Sequence, residues 1–362
     1  MGLVKILIVT EWYLKLVVEG QAAALATLGH DVRLLCRSHA LEFDGNRDER
    51  RAILDKLEAA GVSVIELPGR RYDPVSLPAV LRVRREIGAW GPDVVSAHQN
   101  TDPRLLLAAR GAPIVYTLHD PEPHPGDKPR SARERVSEHL WIRAADAIVL
   151  HSPTLEAQLS GVAASKPIRF VPHGIDVQPV PLDPPAEPTV LMFGRLEAYK
   201  GVGDLVEAMR LVWETRPDVR LVVAGRGQAV AEVPLDPRIE LIPRYLGEHE
   251  LRQLLARASV VALPYRQASQ SGVGLLSIAH GVPVVVTSVG AIAELASDPS
   301  FVVPPADPAA LASALDRALD STTDVRERVL AHAHREFGWC RVAELYLDVY
   351  RYATTRRPGE AA

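Results

Sequence analysis

The sequence predicts an α/β protein built from two doubly wound parallel-sheet domains, and three observations carry that prediction. Short, continuously apolar runs alternate with longer amphipathic stretches along the whole chain. The alternation is interrupted once, near the middle, by a proline-rich segment. The length of 362 residues fits two domains at about 100–200 residues each.

A strand covered by helices on both faces reads as an unbroken apolar run. Residues 5–10 (KILIVT) form the first such run, followed by a helical pattern over 19–28 that stops at Gly29-His30, and a strand at 31–36. A charged helix is expected over 47–60, a strand at 62–67 and an arginine-rich helix over 77–90. Strands at 93–97, 113–118, 147–150 and 168–171 complete the first half. Residues 172–188 carry prolines at 172, 179, 181, 184, 185 and 188 and read as an extended linker. A second series has strands at 189–193, 219–224, 239–242, 260–263, 284–287 and 301–303, and the chain is helical from Pro308 onward. Two such halves imply a cleft between two nucleotide-binding-type folds.

Composition narrows the classes. Charged residues at 24% and hydrophobic residues at 47% describe a globular protein with ample core. A net charge of −4 gives no general attraction to nucleic acid or anionic lipid. No apolar run approaches the ~20 residues of a membrane span, and MGLVKILIVT runs straight into a strand, so a cytoplasmic location is expected. Cys36 and Cys340 are expected to be reduced and buried. The loop at Asp44, Asn46 and Asp48 lacks the glycine and bidentate acid of a calcium loop.

Chemistry concentrates in two stretches of the second half. In 190–201 (VLMFGRLEAYKG) a strand turns at Gly194, presents Arg195 and Lys200, and enters a helix after Gly201. Backbone N–H groups and a helix dipole favour anions there, and Arg195 can grip two oxygens while Lys200 adds a point charge. In 265–281 (YRQASQSGVGLLSIAHG), Gln267, Ser269, Gln270, Ser271, Gly272 and Val273 surround a second helix start. His119-Asp120 follows the 113–118 strand at its carboxyl end, where open sheets place ligands, and His124 follows on a stiff loop. Gly225-Arg226-Gly227 ends another strand. Arg70, Arg71, Arg82, Arg84 and Arg85 form a basic stretch that could meet a membrane surface.

These segments resemble the retaining glycosyltransferases of family 4. The "GR-L…KG" stretch, "T-x-H-D" around His119, "LATLGHDV", Pro172-His173-Gly174-Ile175-Asp176 (beside the family's "P-N-G-V-D") and the "F-x-W…Y…Y" ending from Phe337 carry the resemblance. Departures exist. The first loop has Glu19-Gly20 where the family has two glycines, and the family's two glutamates fall on Ala268 and Leu276, as in an S-Q-S-G-V variant. Gly290 to Glu294 resembles "G-G-x-x-E" with one glycine replaced.

The resemblance implies a GT-B fold, two Rossmann-like domains facing a central cleft. Residues 1–178 would form the acceptor domain, joined by a final helix at about 341–357, and 179–340 the nucleotide-sugar donor domain. It implies transfer from a nucleotide-diphosphate sugar to a saccharide, lipid-linked or small-molecule acceptor with retention of configuration. His119, Arg195 and Lys200 would serve catalysis, and Gly20, Gly225, Gln267, Ser269, Gln270, Ser271, Gly272 and Val273 would bind the donor. No Asp-x-Asp pair occurs, so neither metal nor cofactor is expected. Docking on the inner membrane face is a further expectation. The alternatives are a non-catalytic GT-B partner subunit and a nucleotide-sugar epimerase.

Overall fold

The computed structural model describes the chain except residues 1, 13, 15–17, 39–42, 44–45, 70–71, 73, 122–129, 178–184, 186, 321–322 and 356–362. It divides into two compact units, Met1–Gly174 with Trp339–Ala362, and Ile175–Gly338. In chain order the first unit contains β1 (Lys5–Thr10), α1 (Glu19–Thr27), β2 (Asp31–Arg37), α2 (Arg47–Ala59), β3 (Ser63–Leu67), α3 (Leu77–Trp90), β4 (Val94–His98), α4 (Pro103–Ala109), β5 (Ile114–Thr117), α5 (Ala132–Ala144), β6 (Ala147–Leu150), α6 (Gly161–Ala164) and β7 (Ile168–Phe170). The second contains β8 (Thr189–Phe193), α7 (Val202–Thr215), β9 (Arg220–Ala224), β10 (Ile239–Ile242), α8 (Glu248–Arg257), β11 (Val260–Leu263), α9 (Gly272–Ala279), β12 (Val284–Thr287), β13 (Val302–Val303), α10 (Pro308–Leu319) and α11 (Thr323–Phe337). Helix α12 (Trp339–Thr355) returns to the first unit.

Both sheets are parallel, with orders β3-β2-β1-β4-β5-β6-β7 and β10-β9-β8-β11-β12-β13. Alternation along each buried strand feeds two core layers. In the first unit Ile6, Ile8, Val115 and Val149 pack with α1 and α12, whereas Leu7, Val9, Tyr116 and Ile148 pack with α3, α4 and α5. Local capping agrees with the pattern. Asn46 accepts from the Glu49 N–H to start α2, and Ser131 with Glu134 forms a capping box on α5.

Helix α12 completes the first layer, burying Val342, Ala343, Tyr346, Leu347, Val349, Tyr350 and Ala353. Its first residue, Trp339, lies where side chains at Gly20 and Gly174 would otherwise sit. A Cβ at either glycine would run into the indole.

One expectation needs correction, and two positions gain a physical reason. Cys36 is buried, but Cys340 is exposed because it faces outward on α12; both are free thiols. The first residues of the expected linker are held in place, since Ile175 N–H donates to the Phe337 carbonyl at 2.8 Å and Ile175 bridges to Gly338. The glycine at position 20 has a packing reason of its own, since a Cβ there would meet the Trp339 indole.

Candidate functional site

In the second unit the order of strands reverses between β8 and β11, which makes their carboxyl ends the switch point where open α/β sheets bind ligands. The 190–201 stretch leaves β8 at this place. Gly194 takes φ +108°, a short 3-10 turn spans Ala198–Lys200, and Gly201 takes φ +71° before α7. The end of β11 clasps this turn: Arg266 N–H donates to the Tyr199 carbonyl at 2.7 Å, and a Cβ at Gly201 would collide with the Pro264 carbonyl. Lys200 Nζ lies 3.8 Å from the centre of the buried Tyr265 ring. Burial first, and then the adjacent Arg195 guanidinium, lower the Lys200 ammonium to about 8. The acid beside the turn, Asp204, is held bidentately by Arg266 at 2.7 and 2.9 Å.

The second loop meets the first. Ser271 caps α9, its Oγ accepting from the Gly274 N–H at 3.1 Å and lying 3.3 Å from the Tyr265 hydroxyl. Val273 sits against Gly194, 3.0 Å from where a Cβ would be. The Gln270 Nε2 is buried with no hydrogen-bond partner among the described residues. The switch point therefore assembles two cations, a capped helix start and an unsatisfied amide, a combination suited to an oxyanion-rich ligand.

The first unit holds a different cluster. Four adjacent strands each deliver a histidine at or just past the carboxyl end: His98 on β4, His119 after β5, His151 after β6 and His173 after β7. His119 Nε2 is 3.1 Å from His98 Nδ1, and His119 Nδ1 is 2.9 Å from His151 Nε2. His173 stacks on His151 with ring centres 3.7 Å apart. Burial, with smaller repulsion from the neighbouring rings, lowers His98 to about 3 and holds His119 and His173 well below the ordinary histidine value. His151 falls to about 4, burial outweighing the Val171 carbonyl and Asp120.

Comparison with known proteins bears on what this architecture serves. The sequence profile described as glycosyl transferases group 1 matches residues 187–321, and that of glycosyltransferase family 4 matches residues 16–179. A glycogen synthase of Mycobacterium tuberculosis is 30% identical over 289 residues, covering 72% of this chain and 69% of the relative. A D-inositol 3-phosphate glycosyltransferase of Xylanimonas cellulosilytica is 30% identical over 356 residues, covering 83% and 84%. The chain belongs to the GT-B glycosyltransferases. Solved structures agree in fold. A glycosyltransferase from Rickettsia africae superposes with a TM-score of 0.69 at 16% identity, covering 99% of this chain and 100% of that one. Anabaena Alr3699/HepE, in complex with UDP and glucose, gives 0.63 at 19% identity over 96% and 99%.

Within this glycosyltransferase the structure brings Arg195, Lys200, Ser269, Gln270, Ser271, Gly272 and Val273 to one switch point. Gln267 is exposed on the same loop. Gly225 has a backbone reason of its own, since at φ +143° a Cβ would strike the Gly194 carbonyl. His119 was expected to offer a ring nitrogen to a sugar hydroxyl. In the structure both of its ring nitrogens face other histidines, His98 at 3.1 Å and His151 at 2.9 Å. His124, Arg70 and Arg71 lie outside the described residues. Of the remaining arginines, Arg84 donates to the Leu107 carbonyl at 2.7 Å, while Arg82 and Arg85 are exposed on α3. Among the described residues no helix is long and apolar enough to cross a membrane.

Sequence reasoning missed His98, His151 and His173. The available signal was that four strand runs in succession end near a histidine, VVSAH, IVYTLH, AIVLH and IRFVPH.

Proposed function

We propose that this protein transfers a sugar from a nucleoside diphosphate sugar to a hydroxyl acceptor with retention of configuration, and needs no magnesium or manganese at the diphosphate. The convergence of Arg195 and Lys200 at the β8/β11 switch point carries the reading. Charge develops on the leaving diphosphate as the glycosidic bond breaks, and fixed cations and N–H groups aimed there lower the barrier. The α9 start at Ser271–Gly272 supplies such N–H groups. The acceptor's proton passes to a departing phosphate oxygen. The second unit holds the donor and the first the acceptor. UDP and glucose in Alr3699/HepE and the names of the curated relatives support this donor class.

The test is incubation with a panel of nucleoside diphosphate sugars in excess chelator, following release of nucleoside diphosphate and the anomeric configuration of any product. Slow donor hydrolysis without acceptor and unchanged rates in chelator are expected. Release that requires added magnesium or manganese overturns the diphosphate site as described. Inverted product overturns retention.

A further inference from the structure

The histidine row poses a tautomer conflict. His151 Nδ1 lies 2.8 Å from the Val171 carbonyl, which can only accept, so Nδ1 carries the hydrogen and Nε2 of the neutral ring offers a lone pair. At the other end, His98 Nε2 lies 2.6 Å from the Gln21 amide oxygen. Gln21 Nε2 in turn donates to the Tyr350 hydroxyl at 3.0 Å, which donates to Ser96 Oγ at 2.8 Å. With the Gln21 amide in this orientation, His98 carries its hydrogen on Nε2, and its Nδ1 accepts from His119 Nε2–H at 3.1 Å. That leaves a lone pair on His119 Nδ1, facing the lone pair on His151 Nε2 across 2.9 Å. Two neutral imidazoles cannot rest in that arrangement unless a cation lies between them.

A third ring completes the set. Ligand nitrogens of His119, His151 and His173 all lie within 4.8 Å of one another. We propose that these three histidines bind one transition-metal ion of the zinc class in the first unit, separate from the Arg195–Lys200 site. The donor set is neutral nitrogen with no carboxylate, which suits zinc, copper, nickel or cobalt and not magnesium or calcium. The outer partners are those that orient metal-bound imidazoles: a backbone carbonyl on His151 and a second histidine on His119. Zinc–nitrogen bonds of 2.0–2.1 Å in a tetrahedron place nitrogens about 3.3 Å apart. The His119–His151 pair opens by ~0.4 Å to meet this, and His173 tilts out of its 22° stack on His151. Three protein ligands leave the fourth position to water or another small ligand.

Tag-free protein, stripped by chelator, is titrated with zinc by calorimetry and with cobalt by visible absorption. The expected result is one equivalent per chain, a tetrahedral cobalt spectrum and displacement of cobalt by zinc. His173→Ala and His151→Ala should abolish stoichiometric binding, and His98→Leu should weaken it 10–100-fold. His249→Ala, exposed on α8, should bind as wild type does. Circular dichroism checks that each variant is folded. Independently of any variant, nitrogen-15 spectra of the wild-type rings should show His119 Nδ1 and His151 Nε2 shifting on addition of zinc. Absence of stoichiometric binding overturns the proposal, as does wild-type affinity in folded His173→Ala. A third overturning result is a His119 Nδ1–H donated to His151 and undisturbed by zinc, which would mean that the Gln21 amide is reversed and a proton chain is the true arrangement. None of these readouts involves sugar transfer, so their failure leaves the proposed function intact.

Discussion

Nucleoside diphosphate binding is expected to weaken at least tenfold when either Arg195 or Lys200 is replaced by Ala. Charge-assisted bonds to phosphate are each worth roughly 1.5–3 kcal/mol, and ~1.4 kcal/mol is a factor of ten. Binding of the bare nucleoside should barely change. The two cations share one turn and act on one ligand, so the double variant should depart from the sum of the singles. Lys200 adds a pH signature. Its ammonium titrates at about 8 because it is buried beside Arg195, and the diphosphate requires the protonated form. Affinity should therefore fall as pH rises through about 8. Lys200→Arg, which stays charged, should flatten that profile without restoring full affinity, since a planar fork does not replace a point charge. Without ligand the sign on stability reverses. The unfolded lysine keeps its proton to higher pH, so the Lys200 contribution to stability rises between about 8 and the ordinary lysine range. Calorimetry with nucleoside, monophosphate and diphosphate across pH checks all of this. Wild-type diphosphate affinity in both single variants would reduce the stretch to a structural turn.

The second large effect is on folding. Gly225→Ala should destabilise the second unit by roughly 3 kcal/mol or more, because φ +143° is costly for any side chain and the added Cβ meets the Gly194 carbonyl. A unit of this size loses about 2–4 °C of melting temperature per kcal/mol. Gly88→Ala in α3 is the contrast, since nothing lies within 4 Å of its Cβ and its backbone is helical. It should stabilise by about 0.5–1 kcal/mol. Thermal unfolding distinguishes the two. If Gly225→Ala melts with the wild type yet binds nucleotide poorly, the glycine serves the ligand after all.

What could be read from the sequence followed the range of the forces involved. Buried strands are local patterns, so the run at 5–10 coincides with β1, and 93–97 is displaced by one residue from β4. The switch-point loops were legible because Arg195 and Lys200 lie within one strand–turn–helix. The histidine row was not. Its members are separated by 21 to 32 residues and become neighbours only once the order β4-β5-β6-β7 is known. The role of Gly20 was hidden for the same reason, since Trp339 reaches it from the far end of the chain. Cys340 escaped because one position on an amphipathic helix decides between core and water.

Helix α12 has a consequence for biosynthesis. The layer it fills is built on β1, β2 and α1, near the start of the chain, yet the whole of Ile175–Gly338 is translated before Trp339. A ribosome adds roughly 5–20 residues per second, and domains generally fold as they emerge. The usual order is inverted here. Folding of the second unit can begin while the first still lacks the side chains of Val342, Tyr346, Leu347 and Tyr350, and for roughly ten seconds or more the nascent amino-terminal sheet presents an uncovered apolar face. A ribosome paused before α12 has emerged would leave that apolar face open to water beside whatever part of the second unit has already folded.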